Sequence, residues 1–359
     1  MKKKVLLIVN HRKNRSPGQR FRFEQYLSYL ESNGYQFTFS NIISEKDDRV
    51  FYIPGHYFAK AIILIKSFII RFVNYINAND YDIIFIFREA SFLGTSLFER
   101  LFAKSTAKLI FDFDDAIWLA ETSSANKSLA FLKNPDKTKD IINEVDLVFA
   151  GNAYLANYAK NYCDNVKIVP TTIDTNYHIP KSKIAKDKIC IGWTGTDTTI
   201  KHFEFLLPVL EKIYKQFPSV YFKLISDREV HYPSINLSSI KWSKEDEIEQ
   251  LEEFDVGIMP LPDDKWSKGK CGFKGLQYMS LQIATIMSPV GVNSEIIQNG
   301  INGFLASTET EWIEKLSLLI SNTELRNQLG KQARQTIIEK YSVEAWKEKY
   351  LQYFNELIQ

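Results

Sequence analysis

Short apolar runs alternate with longer amphipathic stretches along almost the whole chain, and this alternation is the first structural signal. The runs are mostly continuous, as expected of strands that helices cover on both faces. Strands that alternate with helices form parallel sheets. In the first half we predict strands at Val5–Val9, Phe37–Ser40, Asp82–Phe87, Leu109–Phe113, Leu147–Ala150 and Val166–Pro170, and helices at Phe21–Ser32, Ala59–Ile76 and Ser91–Ala103.

The pattern stops in a polar, lysine-rich stretch and then restarts, which predicts a second domain. Asp174–Lys188 contains Pro180 and four lysines, as is typical of an interdomain linker. The restart predicts strands Ile189–Trp193, Tyr221–Ser226, Ile240–Trp242, Val256–Leu261 and Thr285–Ser288, and helices Ile200–Phe217, Lys244–Leu251, Phe273–Leu281, Glu311–Ser321, Thr323–Lys340 and Val343–Leu357.

These elements predict two Rossmann-like, doubly wound domains. The first spans residues 1–175, a linker spans 176–188, and the second domain spans 189–341, with a final helix over 342–359 packed back on the first domain. Ligands bind beyond the carboxyl ends of parallel strands. Two such domains in tandem can face each other with the carboxyl ends of their sheets. We therefore expect the ligand site in the cleft between them.

Charge is nearly balanced overall but uneven along the chain. A net charge of +2 over 359 residues argues against a nucleic-acid partner. Residues 1–23, however, carry eight basic side chains and no acidic one, a combination that attracts phosphates or acidic lipid headgroups. A solvated N-terminus is the favoured interpretation for Lys2–Lys4, whereas the basic run over 12–22 follows a strand and leads into a helix.

Cysteine usage and the N-terminus favour a cytoplasmic protein. Cys163, Cys190 and Cys271 are odd in number, far apart and in no metal-ligand spacing, which fits a reducing compartment. The N-terminus has no signal-peptide pattern.

The most hydrophobic stretch, Phe58–Ile76, predicts a helix with two alternative environments. Lys60, Lys66 and Arg71 interrupt it, so it falls short of the roughly 20 apolar residues of a membrane span. Packing in the core is the favoured interpretation. The alternative is peripheral contact with the inner face of a membrane.

Two glycine-containing turns could bind phosphate. After the strand ending at Trp193, Gly195 and Thr196 lead into a helix, whose N-terminus favours anions. The alternative is an ordinary turn with a Thr or Asp N-cap. In the second stretch, Lys274 and Gln277 lie three residues apart on one helical face, so the lysine could bind a diphosphate and the amide a ribose hydroxyl. The alternative for this pair is a solvated surface.

These motifs resemble, in order, the donor-binding half of glycosyltransferase family 4, retaining GT-B enzymes of bacterial polysaccharide and lipopolysaccharide synthesis. Further stretches resemble that family's first-strand glycine loop, a late strand of its first domain, the entry to its linker and its late glycine turn: Ser16–Arg22, Asp146–Asn152, Val169–Asp174 and Asn302–Leu305. The resemblance implies a nucleotide diphosphate-sugar donor on the second domain, a glycan or lipid-linked acceptor on the first, and no metal or other cofactor.

The resemblance also assigns roles to residues. It implies donor binding by Gly18, Gly195, Thr196, Arg228, Trp242, Lys274 and Gln277, acceptor binding by Arg20, Arg22 and Asp115, and catalysis by Asp114 and Lys274. A solvated Arg228 and a core Trp242 are the alternatives. The family usually carries two glutamates separated by seven residues. Here the second falls on Gln277, which cannot act as a base, and the first would fall on Gly269.

The acidic run Asp112–Asp115 has three interpretations. Asp112 and Asp114 formally match the Asp-x-Asp metal motif of GT-A transferases, but the donor-like features lie in the other half of the chain. By its position after a strand, Asp114 resembles the family's acceptor-side catalytic residue, where a carboxylate could orient or deprotonate a hydroxyl. The alternative is a structural aspartate near Arg88.

Two other functions stay open. One is a nucleotide-sugar epimerase on the same scaffold, although its usual acid/base histidine and glutamate pattern is not visible. The other is a non-catalytic sugar-nucleotide-binding protein. None of the five histidines is assigned a catalytic role.

Overall fold

The computed structural model describes residues 2–119, 134, 136–181 and 188–359, which divide into two compact units. Unit 1 is Met1–Thr171 with Lys347–Gln359, and unit 2 is Thr172–Trp346. Each unit is built on a six-stranded sheet whose strand pairs are all parallel, which confirms the predicted α/β fold. Part of the predicted linker, residues 182–187, lies outside the described residues.

The unit 1 sheet has the order β2-β1-β3-β4-β5-β6. Its strand order reverses between β1 and β3, where Val5 of β1 lies opposite Ile83 of β3. The central strands are buried on both faces because helices cover them. The strands are β1 Lys3–Val9, β2 Tyr35–Asn41, β3 Ile83–Phe87, β4 Lys108–Phe113, β5 Leu147–Ala150 and β6 Val166–Ile168.

The helices of unit 1 depart from the sequence prediction in several places. Within the described residues they are α1 Pro17–Arg22, α2 Leu27–Ser32, α3 Glu45–Phe51, α4 Tyr57–Ile76, α5 Leu97–Phe102, α6 Lys137–Asn143 and α7 Ala153–Ala159. The sequence prediction of one helix over Phe21–Ser32 is wrong. Phe23, with φ of −133°, ends α1 because its ring packs against Phe85 and Phe87 at centroid distances of 5.1 and 5.7 Å.

The predicted helix Ser91–Ala103 is also too long, since only α5 forms. The carbonyl oxygens of Ser91 and Leu93 accept hydrogen bonds from Lys137 Nζ at 2.5 and 2.8 Å. Carbonyl oxygens that accept from a side chain in this way compete with the backbone hydrogen bonds of a helix. Helix α3 was not predicted, although Ser44 and Asp47 form the capping box that starts it.

Helix α4 confirms the predicted helix but not its predicted burial in the core. Its inner face buries Lys60, Ile63, Ser67 and Arg71, while several of its large apolar side chains are exposed. Within the part of the chain that the structure describes, no helix has both the length and the apolar character needed to cross a membrane.

Unit 2 contains a second parallel sheet, of order β12-β11-β10-β7-β8-β9. Its strands are β7 Cys190–Thr194, β8 Tyr221–Ser226, β9 Leu237–Lys241, β10 Val256–Met259, β11 Ala284–Met287 and β12 Phe304–Leu305. Its helices are α8 Ile200–Gln216, α9 Glu247–Glu252, α10 Lys265–Lys268, α11 Phe273–Ser280, α12 Asn293–Ile296, α13 Glu309–Ser321 and α14 Thr323–Thr336. The predicted helix Thr323–Lys340 ends early because its last turn widens into a π-helix at Ile337–Tyr341.

The last helix, α15 Val343–Leu357, begins in unit 2 and belongs to unit 1 from Lys347 onward. The ring of Tyr350 stacks on Tyr26 with centroids 4.3 Å apart and an interplanar angle of 7°. Phe354 packs edge-on against Tyr35 at 5.5 Å. These buried aromatic contacts hold the C-terminal helix against the first sheet.

A buried ion pair joins α1 to the middle of the unit 1 sheet. Arg22 Nη2 lies 2.5 Å from Asp112 Oδ1 in β4, and both side chains are completely buried. Arg22 Nε also donates to Asp112 at 3.1 Å, and Nη1 donates to the carbonyl oxygen of Val169.

Removing one partner of this pair should be costly, because it leaves the other charge buried without compensation. We expect Arg22→Ala to lower the free energy of unfolding by about 3–5 kcal/mol in urea denaturation. Arg100, 55% exposed and paired with Asp140, is the control, and Arg100→Ala should cost less than about 1 kcal/mol. Equal losses in the two variants would contradict the structural role of the buried pair.

Candidate functional site

The unit 2 sheet reverses its strand order between β7 and β10, with β8 and β9 on one side and β11 and β12 on the other. Ligands of doubly wound sheets bind at such a reversal, beyond the carboxyl ends of the strands. The turn Gly195–Thr199 follows β7, and the segment that leads into α11 follows β10. Both predicted phosphate-binding stretches therefore lie at this edge.

The indole ring of Trp193 connects the two stretches. Lys274 Nζ, on α11, lies 5.4 Å from the centroid of this ring, a cation–π contact. Gly195 packs against the same ring, since a Cβ at that position would stand 2.1 Å from Trp193 Cη2 and 2.6 Å from Thr199 Oγ1. Only glycine fits here, so the backbone of the turn and the ammonium group of Lys274 are held around one buried side chain.

The turn after β7 is closed on itself. Thr196 N donates to Thr199 Oγ1 at 2.9 Å, Thr199 N donates to Thr196 O at 2.8 Å, and Asp197 N donates to Asp227 at 2.6 Å. Thr196 thus forms an N-capping box with Thr199, the alternative that the sequence left open. Any anion at this turn would depend on nearby cations more than on these backbone N–H groups.

Cations are supplied by a group that we call the lysine trio: Lys201, Lys270 and Lys274. All three act electrostatically on His202, a buried residue in the first turn of α8. Burial, followed by the charges of Lys274, Lys270 and Lys201, lowers the pKa of His202 to about 3. Burial is the main reason that the imidazole stays neutral as the pH falls, and the positive charge of the lysines adds to it. Positive charge of this kind attracts phosphate. Sequence reasoning singled out Lys274 alone.

Arg228 lies on the surface beyond β8. Its Nε contacts the carboxylate of Asp197, which raises the pKa of the guanidinium, and the side chain is more than half exposed. The solvated arginine that the sequence offered as an alternative is therefore compatible with its position, as is donor binding, since Asp197 belongs to the turn after Gly195.

Trp242 and Gln277 converge on a residue that the sequence analysis missed, Glu247. Trp242 Nε1 and Gln277 Nε2 both donate to Glu247 Oε1, at 3.3 and 3.2 Å. Glu247 and Gln277 are buried, and Trp242 is partly buried. A carboxylate thus lies beside the position where the family's second glutamate would be. The sequence held little signal for it, because Glu247 is one of several acids on a short amphipathic helix.

In unit 1 a second polar group forms at the carboxyl ends of β3 and β4. Arg88, in the left-handed region with φ of 63°, donates from Nε to Asp114 Oδ1 at 2.7 Å and from Nη2 to Asp115 Oδ2 at 2.7 Å. Gly18, in α1, adjoins this group, because a Cβ there would lie 3.4 Å from Asp114 Oδ2 and 3.1 Å from Phe87. Gly18, Asp114 and Asp115 are therefore brought together.

The two arginines predicted to bind an acceptor are both buried. Arg22 is committed to Asp112 and Val169, as described above. Arg20 is 8% exposed, with its guanidinium 5.0 Å from the centroid of the Phe21 ring. Neither presents an accessible guanidinium, which argues against direct contact of either side chain with an acceptor.

Asp112 and Asp114 do not form a metal-binding pair in the structure. Asp112 points to Arg22 and Asp114 to Arg88. Among residues 2–119, 134, 136–181 and 188–359, no three His, Cys, Asp or Glu side chains are grouped in a way that could hold a metal ion.

One known protein family matches part of unit 2. Residues 244–336 match the family described as Glycosyl transferases group 1. These residues, about a quarter of the chain, resemble a group 1 glycosyltransferase domain. The matched residues include Glu247, Lys270, Lys274 and Gln277.

Solved structures resemble the whole chain. A glycosyltransferase from Rickettsia africae is 14% identical with a TM-score of 0.70, covering 100% of this chain and 99% of its own. Sucrose-phosphate synthase from Thermosynechococcus elongatus is 12% identical with a TM-score of 0.71, covering 99% of each chain. HepE from Anabaena, in complex with UDP-glucose, is 11% identical with a TM-score of 0.66, covering 98% of this chain and 99% of its own.

At such low identity these likenesses establish the fold, and they confirm the predicted GT-B architecture of two Rossmann-like units. No curated protein sequence matches the chain. The structure brings Lys274, from the matched residues, to the ring of Trp193, which lies outside them. Gln277 contacts Glu247, and both are among the matched residues. The donor, acceptor and catalytic roles of the predicted site residues stay predictions.

The depressed pKa of His202 predicts that stability depends on pH. The unfolded chain protonates this histidine near pH 6.5, whereas the folded chain does so only near pH 3, so the unfolded state binds more protons between these values. The stabilisation is complete above pH 6.5 and is lost as the pH falls towards 3.

We expect His202→Gln to remove this dependence. Between pH 6 and pH 4 the stability advantage of the wild type over the variant should shrink by about 1 kcal/mol per pH unit, measured by urea unfolding. Parallel pH profiles for the two proteins would mean that His202 is not held neutral in the folded state.

Proposed function

We propose that the protein is a glycosyltransferase. It transfers a sugar, a hexose by type, from a nucleotide diphosphate-sugar to a glycan or lipid-linked acceptor, with retention of anomeric configuration, in bacterial cell-surface polysaccharide synthesis. The observation that carries the proposal is the convergence of Gly195, Trp193 and Lys274 at the strand-order reversal of the unit 2 sheet. Residues 244–336 of this unit, which include Lys274, match the group 1 glycosyltransferase family.

The lysine trio supports binding of the donor's diphosphate. Three lysines around a neutral His202 concentrate positive potential at the carboxyl edge of the sheet. Trp193 fixes the ammonium group of Lys274, which reduces the entropy lost when a phosphate binds. Arg228, exposed and charged beside the same turn, adds a further cation.

The node of Trp242, Glu247 and Gln277 supports binding of the nucleoside. Trp242, which is only partly buried, would present an aromatic surface to the base. The buried Glu247 and Gln277 hydrogen-bond each other and would hold the indole N–H of Trp242 in place. We propose that Glu247, buried beside Gln277, supplies the negative charge that the family's second glutamate usually supplies. UDP is the first nucleotide to test, because the HepE structure contains UDP-glucose.

During transfer the bond between the anomeric carbon and the diphosphate oxygen breaks, and the nucleotide leaves with the electron pair. Lys274 stabilises the charge that develops on this leaving group. The acceptor hydroxyl oxygen bonds to the anomeric carbon, and its proton passes to the departing diphosphate oxygen. We assign the orientation of this hydroxyl to Asp114, whose Oδ1 is held by Arg88 and whose Oδ2 adjoins Gly18.

Cations of the protein take the place that a metal has in other transferases, so we propose that the reaction is metal-independent. Asp112 and Asp114 are each engaged by an arginine, which supports this part of the proposal. We place the protein in the cytoplasm at the inner face of the membrane, where a lipid-linked acceptor would be available.

Lys274→Ala tests the donor site. Losing a charge-assisted contact with phosphate should weaken UDP binding by about 10- to 100-fold in calorimetry and should reduce sugar transfer at least as much. Lys215→Ala, which removes an exposed lysine from α8, is the matched control and should leave both unchanged.

Unchanged UDP affinity in Lys274→Ala would remove this residue from the mechanism. The transfer assay also separates the alternatives, with membranes as the source of acceptor. Donor consumption that does not depend on membranes would favour an epimerase, and tight UDP binding without any consumption would favour a binding protein.

Gln277→Glu tests the node. The substitution restores the family's glutamate but places a second carboxylate about 3 Å from Glu247, where like charges oppose joint ionisation. We expect the variant to lose about 1–3 kcal/mol of stability at pH 7.5 and to recover part of it by pH 5, because the pair shares a proton at lower pH.

Gln277→Met is the control. It removes the amide donor without adding charge, so its stability relative to the wild type should not depend on pH in this range. A Gln277→Glu variant as stable as the wild type at pH 7.5 would show that Glu247 and residue 277 are not in contact.

A further inference from the structure

The segment that follows β3 in unit 1, Glu89–Leu93, is held by side chains and belongs to no helix or strand. Ala90 and Ser91, at its centre, are buried. Buried backbone N–H and C=O groups need hydrogen-bond partners, which a helix or a sheet normally supplies. Here ionisable side chains from three different helices supply them. We call them the segment clamp: Arg71 of α4, Glu99 of α5 and Lys137 of α6.

The peptide groups of Ala90 are bound from both sides. Glu99 Oε1 accepts a hydrogen bond from Ala90 N at 2.8 Å, and Arg71 Nε donates to Ala90 O at 2.6 Å. Lys137 donates to two further carbonyl oxygens of the segment, as described above, and pairs with Glu89 at 2.9 Å. Hydrogen bonds with a charged partner are about twice as strong as neutral ones. The clamp therefore fixes the path of this backbone.

The clamp adjoins Arg88, whose backbone conformation is unfavourable. Arg88 directly precedes the segment, and its φ of 63° lies in the left-handed region that residues with a side chain rarely adopt. Such a conformation persists only where the surrounding structure fixes the chain. On the β3 side, Arg88 N donates to Asp112 O at 2.8 Å, at the end of the ladder between β3 and β4. On the other side the chain is fixed by the clamp.

We propose that the segment clamp positions Arg88 and, through it, Asp114. Arg88 Nε donates to Asp114 Oδ1 at 2.7 Å, and the direction of the guanidinium depends on the backbone that the clamp fixes. Arg71 and Glu99 are completely buried, so they act through the segment and not by contact with a substrate. The inference rests on the proposed function only for the role of Asp114 towards the acceptor hydroxyl.

Stability alone does not account for the clamp. Burying ionisable groups is costly, and well-packed apolar residues of similar volume often stabilise a fold as much or more. The hydrophobic pattern over Ser91–Ala103 favours a longer helix, whose backbone would satisfy many of the same peptide groups. The clamp holds the chain in a non-helical path instead, and this path places Arg88 beside Asp114.

Glu99→Met tests the clamp, because methionine is similar in length but cannot accept the hydrogen bond of Ala90 N. We expect kcat for sugar transfer to fall by about 10- to 100-fold, since a small displacement of Asp114 misplaces the acceptor hydroxyl. UDP affinity and the donor KM should not change, because the lysine trio lies in unit 2. Glu99→Gln is the matched control, whose amide oxygen still accepts this hydrogen bond, and it should keep the wild-type kcat.

Two further variants address folding. Arg326 is a buried cation of unit 2 that donates to the carbonyl oxygens of Leu319 and Ile320. Arg326→Met should therefore lose stability and keep the wild-type kcat under conditions in which it is folded. If Glu99→Met does not fold, Lys137→Met replaces it in every measurement, with the same expected results.

A second measurement needs no substrate, so it stays decisive if the proposed function fails. Arg88→Met should lower the urea midpoint of the wild type, because Asp114 and Asp115 lose the cation that they share. In the Glu99→Met background the same substitution should lower the midpoint less, since the contact of Arg88 with Asp114 would already be weakened.

Equal midpoint shifts in the two backgrounds would overturn the inference. So would a Glu99→Met variant with the wild-type kcat, or a Glu99→Gln variant as impaired as Glu99→Met. A wild type that transfers no sugar, but in which the effects of Arg88→Met and Glu99→Met are coupled, would remove the proposed function and support the positioning of Arg88.

Discussion

The candidate site of unit 2 depends on the burial of one indole ring. Trp193 is the next-to-last residue of a central strand, is almost completely buried, and contacts the two chain segments at the strand-order reversal. Its size excludes any side chain at position 195, and its face holds the ammonium group of Lys274. The ring therefore couples packing to electrostatics, because the contacts that close the core of unit 2 also fix where positive charge is presented.

The sequence was sufficient for the fold because hydrophobic periodicity and strand chemistry agree along most of the chain. Buried strands such as β3 and β4 are short, continuous apolar runs. Such runs, when they alternate with helices, are typical of a parallel sheet that helices cover on both faces. Errors arose where a tertiary contact overrides local preference. Lys137 draws the carbonyl oxygens of Ser91 and Leu93 out of a helix, and Phe23 leaves the helical path to pack on the sheet.

The candidate site was predictable only in part. Gly195 and Lys274 have local signals, a glycine after a strand and a lysine at a helix start. Glu247 has none, because its importance depends on Trp242 and Gln277 reaching the same oxygen atom. The burial of Arg22 could not be foreseen either, since its partner Asp112 is 90 residues away in sequence. The orientation of α4 could not be predicted for the same reason, because the polar atoms that bind Arg71 come from three other segments of the chain.

Arg88 shares its positive charge between two neighbouring carboxylates: Nε donates to Asp114, and Nη2 contacts both Asp114 and Asp115. If Asp114 turns from Arg88 to hydrogen-bond a ligand hydroxyl, Arg88 keeps Asp115 as a counter-ion. Its positive charge then remains paired. A polar ligand could therefore bind or leave while the charges at this edge of the sheet stay paired.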